Sequence, residues 1–437
     1  MPLIIFSVQM TKKMKNINNK NKRTMKKTLT VLISIMMLSL AGSVEAQINP
    51  GLLSGRELNT ITTAVPFLQI APDSRAGGLA DMGCATSADV NSVAYNPAKT
   101  VFNKDVFGIG LSYSPWLHNL VSDINLLYLS TYYRITDMDA VALSLRYFSL
   151  GEIEFVDEQG NKMSDQKPNE FSIDLTYSRK LIDQLSIAIT PRFIYSNLTA
   201  KQYVSGEETK AGLAGAADLS FFYEQDFAAK GLENSTLRAG LNISNIGNKM
   251  SYSSGTLRRD FLPTNLRLGI GYEMDFDAYN KLAITGEINK LLVPTNPVYK
   301  TDSLGRTEYD ENNNPVILSG RNPDVSVPQG IFQSFYDAPG GFKEELSEVA
   351  WALGAEYSYR DLFFFRAGYF HESQYKGNRQ FMTVGVGIKY NIFNIDVAYL
   401  FTTNGQKHPL ANTLRFSLSF NFASFDKNEI KNQGRLR

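Results

Sequence analysis

Apolar and polar residues alternate one by one along most of this chain, and that period dictates the backbone. Successive side chains of a β-strand point to opposite faces, so a period of two leaves one face oily and the other polar. The last such segment shows it most cleanly, with Leu414, Phe416, Leu418, Phe420 and Phe422 on one face and Arg415, Ser417, Ser419 and Asn421 on the other. The pattern recurs at Phe171, Ile173, Leu175 and Tyr177 opposite Ser172, Asp174, Thr176 and Ser178. It recurs again at Met382, Val384, Val386 and Ile388 opposite Thr383, Gly385, Gly387 and Lys389. From Asp105 to Phe422 about fourteen such segments follow one another, joined by connectors that are alternately long and short, as in an antiparallel transmembrane β-barrel.

The expected strands are 105–113, 124–135, 140–150, 170–179, 185–196, 215–224, 236–243, 265–272, 281–290, 348–359, 363–371, 381–390, 393–401 and 412–422. Connectors 136–139, 180–184, 360–362 and 391–392 are turn-sized, and the longest connector is 291–347. Barrels of the bacterial outer membrane carry short periplasmic turns and long extracellular loops. That rule puts both termini in the periplasm and the 291–347 loop outside. An even strand number lets the first strand pair with the last and leaves no open edge in lipid.

Net charge is +1, so no long-range field draws polyanions, and nothing in the composition points to nucleic acid. Aromatics reach 12%. Past residue 46 no apolar run approaches the roughly 20 residues of a membrane helix. Before it, a lysine-rich stretch precedes the apolar run 29–40 and Val44-Glu45-Ala46, which reads as a secretory signal, 1–46, cleaved after Ala46. The last residues, 423–437, read as a periplasmic tail. Cys84, the single cysteine, stands among small residues and reads as a buried or spacer thiol.

The polar faces carry Arg146, Asp174, Arg192, Asp218, Glu224, Arg238, Arg267, Glu273, Glu287, Glu356, Arg366, Lys389, Asp396 and Arg415, a mixture of both signs. A selective pore favours a ring of one sign. Mixed charges call for partners across the wall or from something packed inside, because burying them unpaired costs several kcal/mol each. The segment 47–104 lacks sustained alternation, is rich in Gly, Ala, Ser, Asp and Pro, and is long enough to serve as a plug or hatch. Asn96-Pro97-Ala98 supplies a fixed bend just before the first strand.

Three stretches, 59–68, 71–78 (Ala-Pro-Asp-Ser-Arg-Ala-Gly-Gly) and 89–98, closely resemble the start of the PorV (LptO) family, FadL-like outer-membrane barrels of the type IX secretion system of Bacteroidetes. A second block of resemblance covers 322–335 and 337–342 in the long loop. Tyr95 stands where that family is expected to carry Trp, and Cys84 where Val is more familiar. The resemblance implies a non-enzymatic carrier that binds the C-terminal signal domain of secreted cargo at its outer loops. It further implies delivery from a large translocon barrel to a sortase-type attachment complex, within outer-membrane lipid. The long loop suits such work: six prolines restrain it, and Ile331, Phe332, Phe335, Tyr336 and Phe342 are candidate anchors for cargo or partner, or alternatively an inward-folded lid.

The residues offer little for chemistry. His118, His371 and His408 all fall near the outer rim, and no spacing singles out a Ser or Asp partner, so no catalytic group is assigned. One Cys and three scattered His make no metal site, Asp310 to Asn314 reads as a solvated turn, and no cofactor is expected. Gly269-Ile270-Gly271 and Gly385-Val386-Gly387 sit within strands, where glycine makes room for a plug or bends the wall. Pro191 within a strand implies a kink or bulge. Two other functions stay open: a FadL-like transporter of hydrophobic small molecules, and a lipid A deacylation factor.

Overall fold

The computed structural model describes residues 59–423 apart from 117–122, 157–161, 199–202, 205–206, 253–258, 305 and 404–412. The expected signal 1–46, the first residues of the 47–104 segment, His118, His408 and all but the first residue of the tail 423–437 lie outside the described residues. Fourteen strands form a closed antiparallel barrel. They are β1 Phe107–Pro115, β2 Ile124–Arg134, β3 Asp139–Leu150, β4 Asn169–Ile182, β5 Leu185–Asn197, β6 Gly212–Phe227, β7 Asn234–Gly247, β8 Asn265–Asp277, β9 Asn280–Leu291, β10 Ala350–Tyr359, β11 Phe363–His371, β12 Gln380–Tyr390, β13 Phe393–Thr402 and β14 Leu414–Phe422. Closure comes from β1 against β14, in register from Phe107 opposite Phe422 to Tyr113 opposite Phe416.

Each expected strand exists, and the corrections concern its ends. β6, β7 and β8 run several residues beyond the alternating stretch. Ladder pairing in a closed wall satisfies backbone groups whatever the side chain, so strands outlast their oily pattern. β10 begins two residues later than expected. The outward side chains Leu111, Leu175, Ile270, Leu353, Val386 and Ile395 are exposed, a band of apolar surface suited to acyl chains. No helix among the described residues is long and apolar enough to cross a membrane.

Pro191 breaks the ladder without a bulge: β4 and β5 pair at Asp174–Arg192 and next at Tyr177–Ile189, in unchanged register. The nearest register shift lies on the next pair, between Ala217 of β6, itself opposite Pro191, and Leu219, where Asn245 of β7 takes a φ of 60°. The bulge turns Asn245 inward onto the Arg192 guanidinium.

Long and short connectors alternate between the two ends of the barrel. The longest, between β9 and β10, is not structureless. It holds a small hairpin (Val298–Tyr299 with Ile317–Ser319) and two helices, α1 Val327–Gln333 and α2 Phe342–Ser347. Residues 59–104 contribute four short helical turns and pack against the inward faces of the wall.

Candidate functional site

Asp73, at the amino end of the turn Ser74–Gly77, accepts the Ala76 N–H at 3.1 Å and the Tyr95 hydroxyl at 2.6 Å. That hydroxyl is what a Trp at position 95 would lack. Ser74 N–H donates to Ser417 Oγ of β14, and Ala80 N–H to Thr383 Oγ1 of β12. Gly83 and Cys84 N–H both donate to Glu287 of β9, at 3.0 and 2.9 Å. Asn96, fully buried, caps the turn Pro97–Phe102 by accepting from Ala98 N–H. Its Nδ2 donates to Cys84 O and, across to β6, to Phe221 O. Pro97 starts the turn, and Ala98 O accepts from Ser178 of β4 and Ser186 of β5. The three residues of the expected plug motif thus meet three wall strands at once.

The inward charges are paired largely as the mixed signs require. Arg192 bridges Asp174 and Asp218; Arg238 bridges Glu224 and Glu273; Arg267 pairs with Glu287. Arg366 bridges Glu356 and Asp396, and Glu356 also receives Arg75 from the inner segment, at 2.8 Å. Arg415 pairs with Asp81. Arg146 instead donates to the carbonyls of Phe67, Leu68 and Ile70. Lys389 lies at the tight-turn rim, next to the end of β12. Asp73, Arg75 and Asp81 were not singled out from sequence, although all three stand in or beside the 71–78 block.

Glycine in the wall makes room for the inner segment. A Cβ at Gly240 would collide with the Cys84 carbonyl, and one at Gly385 would come within 3.0 Å of Gly78 Cα. Both positions face close backbone approach, the usual reason for glycine inside a strand.

In the long loop Phe332, Phe335, Tyr336 and Phe342 are exposed, Phe332 by 70% and Phe342 by 82%, while Ile331 is half-buried. Leu346, exposed by 64%, extends the same helical stretch and escaped sequence reasoning. A polar cluster holds the loop down. Lys290 at the end of β9 pairs with Glu345 and Glu348, and Lys376 from the β11–β12 connector pairs with Glu344 and Glu348. Glu348 also accepts from Thr295 Oγ1 at 2.6 Å, and Asp337 from Thr295 N–H. The only sequence signal for this cluster is the acidic pair Glu344-Glu345.

At the same end, Ile61, Leu68 and Ile70 face Leu291, Phe370 and Phe381 across a cavity of about 220 Å³. Cavities among Asp73, Arg75, Tyr95 and Lys99 and beside Arg238 are about 10 Å³. Such a space holds about one water.

Cys84 is buried, its Sγ 3.7 Å from Arg267 O. His371 lies in an aromatic cluster at the long-connector end of β11, stacked on Trp351, with Tyr369 Oη 3.5 Å from its Nδ1. Among the described residues no group of His, Cys, Asp and Glu is arranged to hold a metal. Asp310 accepts the N–H groups of Asn312 and Asn314, as in an exposed turn.

Solved structures similar to this chain include the toluene transporter TodX of P. putida. It is 12% identical with a TM-score of 0.45, over 84% of this chain and 100% of that one. The toluene transporter TbuX of Ralstonia pickettii is 11% identical with a TM-score of 0.42, over 82% and 99%. A Pseudomonas aeruginosa FadL homologue is 12% identical with a TM-score of 0.40, over 84% and 99%. At such identities the likeness is one of fold alone. No curated protein matches the sequence. Residues 54–298 match the family described as type IX secretion system protein PorV. With more than half its length matched, and with the apolar-walled barrel around it, the chain belongs to the PorV family, outer-membrane β-barrels of the type IX secretion system.

Proposed function

We propose that this barrel is a non-enzymatic receptor: its outer loops bind the C-terminal signal domain of secreted cargo and carry it from the translocon barrel to a sortase-type attachment complex. The observation that carries the reading is the exposed aromatic stretch of α1 and α2 on a loop that its own ion pairs hold in place. Aromatic side chains presented on a fixed base make strong anchors, because little side-chain and loop entropy is lost when a partner covers them. Residues 59–104 act in this reading as a stopper, so that the lumen passes neither cargo nor ions and work is confined to the outer face. The long loops then face the outside and the tight turns the periplasm.

The test is a Phe332→Ser/Phe342→Ser double variant in cells lacking the native gene. Cargo bearing the C-terminal domain is expected to accumulate in the periplasm while the barrel stays at its normal level in the outer membrane. Normal secretion would overturn the reading. Loss of uptake of hydrophobic small molecules, with secretion intact, would favour the transporter alternative. Changed lipid A acylation on substitution of His371, with secretion intact, would favour the deacylation alternative.

A further inference from the structure

The first described residue is held among the long connectors. Asn59 N–H donates to Tyr375 O at 3.2 Å, and its Nδ2 donates to Asn296 O at 3.0 Å and to Glu344 Oε1 at 3.1 Å. Asn296 Nδ2 donates back to Thr60 O, and Ala64 N–H donates to Phe261 O at 2.9 Å. Tyr375, Asn296 with Glu344, and Phe261 belong to three different long connectors. At the other end of the segment, Arg134 beside the β2–β3 turn donates to Asn103 O and Lys104 O, and Val106 N–H joins Phe422 O at the end of β14. Residues 59–104 therefore run along the inner wall from the long-connector end to the tight-turn end. This is the reverse of a chain that starts beside its first strand.

We propose that residues 59–63 belong to the long-connector face, as a strap that ties two outer loops together and stays open to solvent there. Two contacts make the strap mechanical rather than incidental. Asn59 joins Glu344 and Tyr375, which lie in the same two connectors that Lys376 links through Glu344 and Glu348. A few residues on, Phe67 stacks on Phe148 of β3 and Arg146 takes the Phe67 and Leu68 carbonyls. The outer loops and the inner segment are thus joined through the hydrogen bonds of Asn59, Thr60 and Ala64 and the chain that follows them. That the face in question is the cell-surface one rests on the orientation in the functional reading above, and the test separates the two.

Because Cys84 is buried and is the only cysteine, a Cys84→Ser background permits single-cysteine probes. Thr60→Cys reports the strap, Leu304→Cys the exposed hairpin of the long loop, and Asp137→Cys an exposed tight turn. Intact cells and lysates are treated with a membrane-impermeant biotin maleimide. Thr60→Cys is expected to label with Leu304→Cys in intact cells, and Asp137→Cys only after lysis. The proposal is overturned if Thr60→Cys follows Asp137→Cys, or if it stays unlabelled in folded protein after lysis. If Leu304→Cys is shielded and Asp137→Cys labels, the orientation reading fails. The strap stands in that case provided Thr60→Cys still follows Leu304→Cys.

Discussion

Arg75 shows what a single side chain does at the inner wall. Its guanidinium meets Asp89 and Ser87 within the inner segment and Glu356 on β10, extending an alternating chain of charges through Arg366 to Asp396. Breaking a largely buried pair strands the remaining charge, at a cost of roughly 3–5 kcal/mol. Arg75→Met is expected to lower the unfolding free energy by that amount, read as an earlier midpoint of urea unfolding in detergent; an unchanged midpoint would refute the role. In the long loop, burial, with Glu345 and Glu348 close by, pushes the Asp337 carboxyl up to about 6. A folded value above the unfolded 3.8 means that the folded loop holds the proton more tightly. Stability from this group is therefore present below the unfolded value and is lost as pH rises through about 6. Limited proteolysis of the long loop is expected to speed up between about pH 4 and pH 6 in the native chain and not in Asp337→Asn. Equal pH dependence in both would sink the assignment.

The turn that opens with Asn96, Pro97 and Ala98 is an element whose purpose follows from its bonds. Asn96 gives one cap bond and two bonds to carbonyls of other segments, so Asn96→Ala loses the cap, worth about 1 kcal/mol, takes the donor from the buried Cys84 carbonyl and cuts the link to Phe221 O. Cys84 reports the consequence. Small thiol reagents are expected to leave it untouched in the native barrel and to modify it quickly in Asn96→Ala; an inert Cys84 in the variant would show that the turn does not hold the segment. Gly240→Val tests the same packing from the wall, where a side chain forced against the Cys84 carbonyl costs about 1–3 kcal/mol by overpacking. The bend at Asn96-Pro97 was legible in sequence, because proline sets its own φ and asparagine caps locally. Helices α1 and α2 were not. They are short, the glycine at 330 inside α1 weakens its helical signal, and ion pairs to Lys290 and Lys376 hold α2 in place.

The whole molecule is a wall of paired strands around a densely bonded segment, with cavities of about 740 Å³ among the long connectors and about 220 Å³ at the mouth, and of about 10 Å³ beneath it. Planar-bilayer recordings of the purified native barrel are expected to show no steady conductance, whereas a variant lacking 59–104 conducts; steady current through the native barrel would refute the stopper. Strand number, the outward face of each strand and closure were determined by the sequence alone. Lipid leaves backbone groups no partner except a neighbouring strand, and a period of two announces which side chains face it. Only the tertiary structure decided which charge meets which, where the wall bulges, and that the inner segment enters among the long loops. Those outcomes join Asn59 to Glu344, Ser74 to Ser417 and Arg75 to Glu356. Contacts between residues hundreds of positions apart leave no local period to read, because they exist only once the barrel has brought its ends together.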